Sequence, residues 1–579
     1  MSHKPALDID HLLNADKLAT EIANKWQLWN SARGTWLTEK KELRNFLFAT
    51  DTTTTSNSKL PWSNNQTTPK LTQIYDNLNA NYSATLFPNS NWMRWEATDK
   101  AGGTKRKVDA IQAYMETKVK QSDFETTMGL CVNDYIQYGN VFATVEYVVE
   151  ETELESGEII SGYIGPRVVR ISPYDICFDP TAASFKNTPK VIRSIVTLGE
   201  LQRNIDDGRE EFKGIFDRVL ANRSQVATSV SQEKSDGYVA DGFNSIEQYY
   251  NSDYVELLTF YGDIFDKDTS TLKRNRMVTV VDRAYVIKDE AVPSWLGSAP
   301  VFHAGWRSRP DNLYAMGPLD NLVGMQYRID HLENLKSDVF DQIALPMLKI
   351  RGEVEDFDYA PGERIFIGEE GDVGALVPDA TALNADFQIQ QLEAKMEEMA
   401  GAPRQAMGIR TPGEKTAFEV QSLQNSASRI FQHKAAQLER QFIEPILNAM
   451  LESGRRNMIK EESVTVVDEK SGNTVFAEIT KKDIVGNGNI RPVGARHFAE
   501  RATRVQNLNQ MLQIKAGDPT VGTHMSGKEI AKILSEELGE AKIYSENIAI
   551  TEATETQSAG ADAEASFEEE QMIKAEMGV

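Results

Sequence analysis

The chain has few of the residues that mark secreted, metal-binding or membrane proteins. Its two cysteines, Cys131 and Cys177, follow neither a disulfide framework nor a metal-ligand spacing, so we expect both to be buried thiols. The seven histidines are scattered and form no ligand cluster. No apolar run approaches the roughly 18 residues that a membrane-spanning helix needs, and the N-terminus lacks an apolar signal core. We therefore predict no metal, no cofactor, no membrane partner and no export by a signal peptide.

Positive charge is also scarce. The 62 lysines and arginines are outnumbered by 86 aspartates and glutamates, which gives a formal net charge of −24. This balance argues against a protein that grips nucleic acid by neutralising phosphates. It is consistent with a surface that is acidic for solubility, and composition alone assigns the charge no further role. At 579 residues the chain is too long for one hydrophobic core, and we expect about two to four domains.

A helix with one apolar stripe is predicted at residues 320–346. Its apolar positions recur at three- and four-residue steps, which places them on one face, and Lys336 interrupts them. Pro346 ends the helix, because a proline inside a helix costs about 3 kcal/mol. Leu335 and Phe340 lie off the stripe and are candidates for a second contact face of this helix. The stripe consists of Leu322, Met325, Ile329, Leu332, Val339 and Ile343.

Four further segments follow this helix. In order they are an insert of short strands and turns (347–383), a second helix (384–401), a Gly/Pro-rich loop (402–416) and a long helix (417–457). Gly401 is placed to end the second helix, and Thr416 can cap the long one. Pro445 predicts a kink inside the long helix. At 1.5 Å per residue the long helix would span about 60 Å, which is longer than one small domain is wide.

The rest of the chain predicts an α+β domain and two smaller regions. Strands are expected where hydrophobicity alternates with a period of two, at 141–149, 163–171, 191–198, 254–265 and 277–287. With the helices that precede them, these strands make residues 1–319 one α+β domain. Residues 458–496 contain a hairpin that turns at 471–473 and is expected to rejoin the sheet of that domain. Residues 497–551 predict two helices, and residues 552–579 an acidic, disordered tail.

The order of these segments resembles the portal, or head–tail connector, proteins of tailed bacteriophages, most closely those of short-tailed phages. The strings that carry the resemblance to the stem and tunnel regions are MGPLDNLVGMQYRIDHLENLKSD (316–338), GIRTPGEKTAFEVQSL (408–423) and RQFIEPILNAML (440–451). Two others resemble the wing region: PWSNNQTTPKLTQIYDNLNANYSATLFP (61–88) and PRVVRISPYDICFDPTA (166–182). The likeness spans most of the chain. It rests on the order and spacing of the strings rather than on any one of them.

The resemblance implies an α+β fold with the parts of a portal subunit. In that fold the parts are the wing (1–319, with the hairpin of 458–496), two stem helices (320–346 and 384–401), the clip (347–383), the tunnel loop (402–416), the long kinked helix (417–457) and the helical crown (497–551). It also implies a ring of twelve copies at one capsid vertex of the virion, assembled in the host cytoplasm. The genome would be packaged and later ejected through that ring, with no covalent chemistry performed by the chain.

The same resemblance implies several partners. They are other copies of the chain, a terminase large subunit, a tail adaptor protein, coat and scaffold proteins, and double-stranded DNA that passes non-specifically. Terminase and adaptor would dock on the clip, and coat and scaffold proteins would contact the wing. The carboxylates of the clip offer a surface for a basic partner, although solvated turn charges are the simpler interpretation. These carboxylates are Asp356, Asp358, Glu369 and Glu370.

The tunnel loop is expected to bend into the channel. Its bending residues are Gly401, Pro403, Gly408, Pro412 and Gly413. Arg404, Arg410 and Lys415 would then touch DNA phosphates through weak, salt-sensitive contacts. The alternative is a surface loop whose basic side chains are merely solvated.

A second hypothesis for the same loop is a nucleotide-dependent DNA motor. Gly408, Gly413, Lys415 and Thr416 nearly match a phosphate-binding loop. Glu414 is inserted between the second glycine and the lysine, which would displace the lysine and put a carboxylate beside the phosphates. A polar helix also precedes the loop where the motif requires a buried strand. A third hypothesis is another virion structural protein, such as a coat or tail-tube subunit.

Overall fold

The computed structural model describes most of the first 492 residues. The described residues are 6–9, 15–48, 64, 66–87, 92–99, 103–153, 159–206, 214–226, 253–352, 354, 365–377, 384–401, 429–458, 461–467 and 474–492, with 508, 511–513, 530, 531 and 533 beyond them. The chain divides into two units, Met1–Pro492 and Val493–Val579. All elements given below belong to the first unit. The crown and tail predicted for residues 497–579 lie almost entirely outside the described residues.

The first unit mixes helices and strands, as the sequence predicts. Its helices are α1 (Ala15–Ala32), α2 (Gly34–Phe48), α3 (Lys70–Leu86), α4 (Lys105–Gln121), α5 (Phe124–Gln137), α6 (Leu198–Asp206), α7 (Ile215–Val226), α8 (Val323–Ala344), α9 (Asp386–Ala400), α10 (Arg429–Leu438), α11 (Glu444–Asn457) and α12 (Lys481–Ile484). A 3₁₀ turn, Asp320–Leu322, leads into α8. A π-helical turn, Glu439–Ile443, joins α10 to α11.

The strands form two larger sheets and several two-stranded pairs. They are β1 (Ala6–Ile9), β2 (Met93–Ala97), β3 (Asn140–Glu153), β4 (Ile159–Ile171), β5 (Ile176–Phe178), β6 (Lys190–Thr197), β7 (Tyr254–Asp266), β8 (Thr271–Val281), β9 (Tyr285–Ala291), β10 (Val301–Gly305), β11 (Arg307–Arg309), β12 (Asn312–Met316), β13 (Met347–Arg351), β14 (Asp372–Leu376), β15 (Glu462–Val467), β16 (Thr474–Ile479) and β17 (Gly488–Pro492). The larger sheet has the order β5-β6-β7-β8-β9, with β1 parallel to β7. The second has the order β10-β3-β4.

Helix α1 packs on the larger sheet through an apolar face. Leu18, Ile22 and Trp26 of this helix are fully buried with side chains of β6, β7 and β8 in one cluster. Five tryptophans are packing residues in the interior of this unit, namely Trp26, Trp29, Trp36, Trp92 and Trp95. The two cysteines are buried free thiols, as predicted.

One predicted strand, at residues 277–287, is wrong because the chain reverses within it. The observed strands are β8 and β9, which pair antiparallel. Asp282 and Arg283 at the turn have positive φ values of 48° and 57°, a conformation that costs a non-glycine residue roughly 1–2 kcal/mol. The Arg283 guanidinium donates twice to the buried Glu256 carboxylate, at 2.7 and 2.9 Å. No glycine or proline marks this turn in the sequence. The other four predicted strands are present as β3, β4, β6 and β7.

The hairpin predicted after the long helix is present, but it joins neither larger sheet. Strands β15 and β16 pair antiparallel as a sheet of their own. Lys118 of α4 anchors this sheet through an ion pair of 2.6 Å with Glu462. The return to the N-terminal region is made instead by β17, which pairs antiparallel with β2 and places Ile490 opposite Trp95.

A close backbone approach fixes where the chain leaves β12. Gly139, just before β3, has a φ of +69°, and a Cβ atom at this position would overlap the backbone of Gly317. Only glycine meets both requirements without strain. The two glycines therefore hold the start of residues 317–401 against the start of β3.

A lysine and a histidine lie inside the core beside these sheets. Lys190, the first residue of β6, is 1% exposed. Its Nζ donates to the carbonyl oxygen of Phe185 at 2.8 Å and lies 4.1 Å from the centre of that ring. Burial lowers the pKa of Lys190 to about 7. His303 stacks on Phe142, with 4.8 Å between ring centroids, and burial lowers the pKa of His303 to about 3.

Candidate functional site

Residues 317–401 leave the N-terminal region as one helix and return as another. Helices α8 and α9 contact each other, and the hairpin of β13 and β14 joins their far ends. Two buried ion pairs hold the near ends: Lys40 of α2 binds Asp320, and Lys70 of α3 binds Glu397 of α9 at 2.6 Å. Breaking one partner of a buried pair costs about 3–5 kcal/mol because it leaves an unpaired charge. These pairs therefore fix where both helices emerge.

The apolar stripe predicted on the first helix is deeply buried only near its start. Leu322, Ile329 and Leu332 are at most 7% exposed. The remaining apolar positions are more accessible: Met325, Val339 and Ile343 are half-buried, and Leu335 and Phe340 are 41% and 64% exposed. The second half of the helix thus offers apolar side chains that the rest of this chain does not cover fully.

A row of polar side chains shares the buried face of α8 and binds the residues just before α3. Gln326 Nε2 donates to the carbonyl oxygen of Thr68 at 2.6 Å, and Leu71 N donates to Gln326 Oε1 at 3.2 Å. One turn further along, Asp330 Oδ1 accepts from Thr68 N at 3.0 Å. Burial raises the pKa of the Asp330 carboxyl to about 6. The hydrogen bonds that this carboxyl accepts from the Thr68 backbone and the Gln326 side chain act in the opposite direction, because they favour its charged form.

The row continues for two more turns of the helix. Asn334 accepts from Gln66 N at 2.8 Å and donates to Gln66 O at 3.0 Å. Asp338 Oδ1 then accepts from Asn64 N at 2.5 Å, and the Asn64 amide donates to Asp341 at 2.8 Å. From Asp330 to Asp338, rungs at every fourth helical residue therefore meet every second residue of the bound segment, while Gln326 binds Thr68 O and Leu71 N at its end. We call this arrangement the polar ladder, and residues 64–69 the strap.

The polar ladder attaches α8 to the strap, including along the second half of the helix, where the apolar stripe is not deeply buried. Its rungs bind backbone groups of the strap, so they give these partly buried amides hydrogen-bond partners within the chain. Sequence reasoning missed them, because it followed only the apolar period of this helix. The signal was present, since Gln326, Asp330, Asn334 and Asp338 recur at steps of four and therefore share one face.

The far end of the two helices is a small antiparallel hairpin with an apolar surface. Met347 pairs with Leu376 at its base, and an isolated bridge joins Val354 to Ile367 further along. An ion pair of 2.5 Å between Lys336 and Asp386 sets the start of α9 beside α8. The apolar side chains that are 37–70% exposed here are Phe340, Leu345, Met347, Ile350, Ile365, Phe366, Ile367, Leu376, Val377 and Phe387. We call this group the apolar tip.

Two of the four carboxylates predicted to dock a partner lie beside the apolar tip. They are Glu369 and Glu370, which are exposed in the turn that precedes β14. The backbone of Glu370 lies against Gly352, which has a φ of +76°. Asp356 and Asp358 lie outside the described residues.

The tunnel loop (402–416) lies wholly outside the described residues, which resume at Arg429 after Gly401. The residues concerned are Pro403, Arg404, Gly408, Arg410, Pro412, Gly413 and Lys415. Gly401 ends α9 as predicted, with a φ of +74° and an N–H that donates to the carbonyl oxygen of Glu398 at 3.1 Å. A Cβ atom at this glycine would lie 3.4 Å from the side chain of Ile430 in α10. The two ends of the intervening segment are therefore adjacent.

The long helix is described from Arg429 onward and is not a uniform α-helix. Its π-helical turn, Glu439–Ile443, comes immediately before Pro445. Proline has no N–H to donate to the preceding turn, and a π-helical turn is one way to accommodate the lost bond. The π-helical turn thus occupies five residues on the N-terminal side of Pro445, and the kink predicted at Pro445 stays a prediction. Deep burial of Phe442 and Ile446, at 1% and 0% exposed, fixes this part of the helix in the core.

The described residues contain no group of three or more histidine, cysteine, aspartate or glutamate side chains placed to hold a metal ion. None of their helices combines the length and apolar character needed to cross a bilayer. The sequence matches no protein-family model, and no curated protein matches it.

Proposed function

We propose that the chain is a portal subunit, which assembles into a ring of twelve copies at one vertex of a bacteriophage capsid. The ring would be the channel through which double-stranded DNA is packaged and ejected. It would carry no catalytic site. Terminase and later a tail adaptor would dock at the apolar tip and its carboxylates, and coat and scaffold proteins would contact the N-terminal α+β region.

The apolar tip is the observation that carries this proposal. Soluble monomers rarely expose a contiguous apolar patch of more than a few hundred Å², and larger patches mark interaction sites. Here ten large apolar side chains are exposed on one hairpin and the helix ends beside it. Each side chain that a neighbour fully buries contributes about 1.5–3 kcal/mol. Neighbouring copies that meet around an axis near their tips would cover part of this surface and close into a ring, and the uncovered part would remain for the docking partners.

The charge of the chain supports a channel rather than a DNA-binding wall. Each copy carries a formal net charge of −24, so a ring repels the phosphates that pass through it and lets the duplex slide. Gly401 and Ile430 lie side by side. The segment between them, which contains the tunnel loop, therefore starts and ends at one place, and this supports one inward excursion per subunit. We propose that Arg404, Arg410 and Lys415 on this segment touch the DNA transiently.

Electron microscopy of the purified full-length chain tests the proposal. We expect closed rings with an axial hole, and a single assembly larger than the monomer by light scattering. The variant Phe366→Asp places a charge in the apolar tip at a side chain that is 64% exposed. It is expected to shift the assembly toward monomer by at least about tenfold in concentration, because burying an unpaired carboxylate is strongly unfavourable.

Phe48→Asp is the matched control, since Phe48 is 54% exposed at the end of α2 and lies outside the apolar tip. It should leave the rings intact. A wild-type chain that stays monomeric at tens of micromolar would overturn the proposal. Shells or long tubes would point instead to a coat or tail-tube protein. ATP binding that is lost in Lys415→Ala would point to a nucleotide-dependent motor.

A further inference from the structure

A cluster of positive charge surrounds α12, although the whole chain has a net charge of −24. It combines the first turn of α4, the last turn of α11 and α12 itself, and α12 packs against α4. The members of this basic cluster are Arg106, Lys107, Arg455, Arg456, Lys481 and Lys482. Arg106 is 82% exposed, and both lysines of α12 are exposed.

Backbone carbonyls, rather than carboxylates, position half of the basic cluster. The hydrogen bonds are those from Lys107 Nζ to Val485 O (2.9 Å), from Arg455 Nε to Ile484 O (2.6 Å) and from Lys481 Nζ to Arg456 O (3.1 Å). A carbonyl oxygen orients a cation without cancelling its charge. These three side chains are therefore held close together while their positive charge remains.

Two carboxylates accompany the six cations. Asp483 lies 3.3 Å from Arg106, but the same carboxylate also caps α12 by accepting from the backbone N and the hydroxyl of Thr480, at 3.1 and 2.6 Å. Glu452 lies 3.8 Å from Arg456. Four positive charges are left over around an element of four residues, which is about 6 Å long at 1.5 Å per residue.

Stability alone does not favour this arrangement. The first turn of α4 contains no acidic residue, and the N-terminus of a helix carries a partial positive charge. Cations at that position are unfavourable, because they repel this partial charge. Arg455 and Arg456 are well placed at the C-terminal end of α11, but Arg106 and Lys107 are not.

We propose that the basic cluster is a docking surface for an acidic polypeptide segment of a partner protein. A run of several aspartates or glutamates supplies the carboxylates that the four excess cations require. Duplex DNA is a poorer match, because proteins that bind it through the backbone use roughly 6–10 phosphate contacts. The negative charge of the rest of the chain also repels a long polyanion more strongly than a short peptide.

Fluorescence anisotropy with a labelled ten-residue polyglutamate peptide and the full-length chain tests this proposal. We expect saturable binding at 50 mM salt that weakens steeply by 300 mM salt. The double variant Lys481→Ala/Lys482→Ala removes two exposed cations and is expected to lose at least about fivefold in affinity. The control Lys273→Ala/Arg274→Ala removes two adjacent exposed cations from β8 and should change affinity by less than twofold.

Three results would overturn the proposal. The first is no peptide binding at low salt. The second is an equal loss in both double variants, which would mean that only the net charge matters. The third is tighter binding of a 20-base-pair duplex than of the peptide, with the duplex affinity lost in the α12 variant, which would make the surface one for nucleic acid. A matching melting temperature for both variants ensures that the comparison concerns the surface and not the fold.

Discussion

The buried Lys190 makes the stability of the N-terminal region rise with pH. Its pKa falls from 10.5 when unfolded to about 7 when folded, because burial disfavours the ammonium. Between these values the unfolded chain binds more protons than the folded one, so stability increases with pH. At about 1.4 kcal/mol per pKa unit, the buried lysine lowers the free energy of unfolding by roughly 4 kcal/mol at pH 7. At pH 9.5 this penalty is smaller by about 3 kcal/mol.

The variant Lys190→Met keeps the length of the side chain and removes its charge. At pH 7 it recovers most of the roughly 4 kcal/mol but leaves the carbonyl of Phe185 without its donor, which costs about 1–3 kcal/mol. We therefore expect a net gain of about 1–3 kcal/mol at pH 7 and a gain near zero, or a loss, at pH 9.5. Wild-type stability should rise across this interval more than that of the variant.

Urea unfolding at pH 7 and pH 9.5, followed by tryptophan fluorescence, measures this difference. Trp36 lies in the same core cluster as Phe185 and reports on that region. Lys273→Met is the matched control, because Lys273 is exposed on β8, and it should change neither value. A loss of stability in Lys190→Met that is equal at both pH values would refute the reasoning, since the amine would then be charged and compensated within the fold.

Three further predictions concern residues 317–401 and their contacts. Asp330→Asn should raise the melting temperature at pH 7 but not at pH 4. The pKa of the Asp330 carboxyl is 3.8 when unfolded and about 6 when folded, so this group lowers the stability of the fold as pH rises through that range. Gly139→Ala should lower the yield of folded protein, whereas Gly324→Ala, in open space on α8, should stabilise by about 0.5–1 kcal/mol in urea unfolding. Lys70→Met should destabilise by about 3–5 kcal/mol, and adding Glu397→Gln should restore much of this in a double-mutant cycle.

The parts of the fold that the sequence predicts best are those with long apolar periods. The helix at 320–346 and the strands β3 and β7 each carry many apolar residues at one spacing, so a few exceptions do not hide the pattern. Gly401 was also identified correctly as a helix end, because a left-handed terminal residue is nearly always glycine. These features depend on residues that are close together in the sequence, so the sequence pattern alone predicts them.

The features that escaped prediction depend on partners far away in the chain. The polar ladder joins residues that are about 260 positions apart, as in the bond between Thr68 and Asp330. The pairing of β2 with β17 joins segments nearly 400 positions apart. The turn between β8 and β9 is stabilised by Arg283 binding Glu256, rather than by a glycine in the turn itself. A one-dimensional pattern contains no direct record of such contacts.

The polar ladder also limits its own length. Four helical residues advance about 6.0 Å, whereas two residues of an extended chain advance about 6.6 Å. Successive rungs therefore drift by about 0.6 Å, which reaches about 1.2 Å over the two intervals from Asp330 to Asp338. Because the two repeats differ in length, the helix and the strap stay in register over one short interval only. Adding or deleting a single residue in the strap would turn its amides away from the helix, so this interval fixes where α3 begins relative to α8.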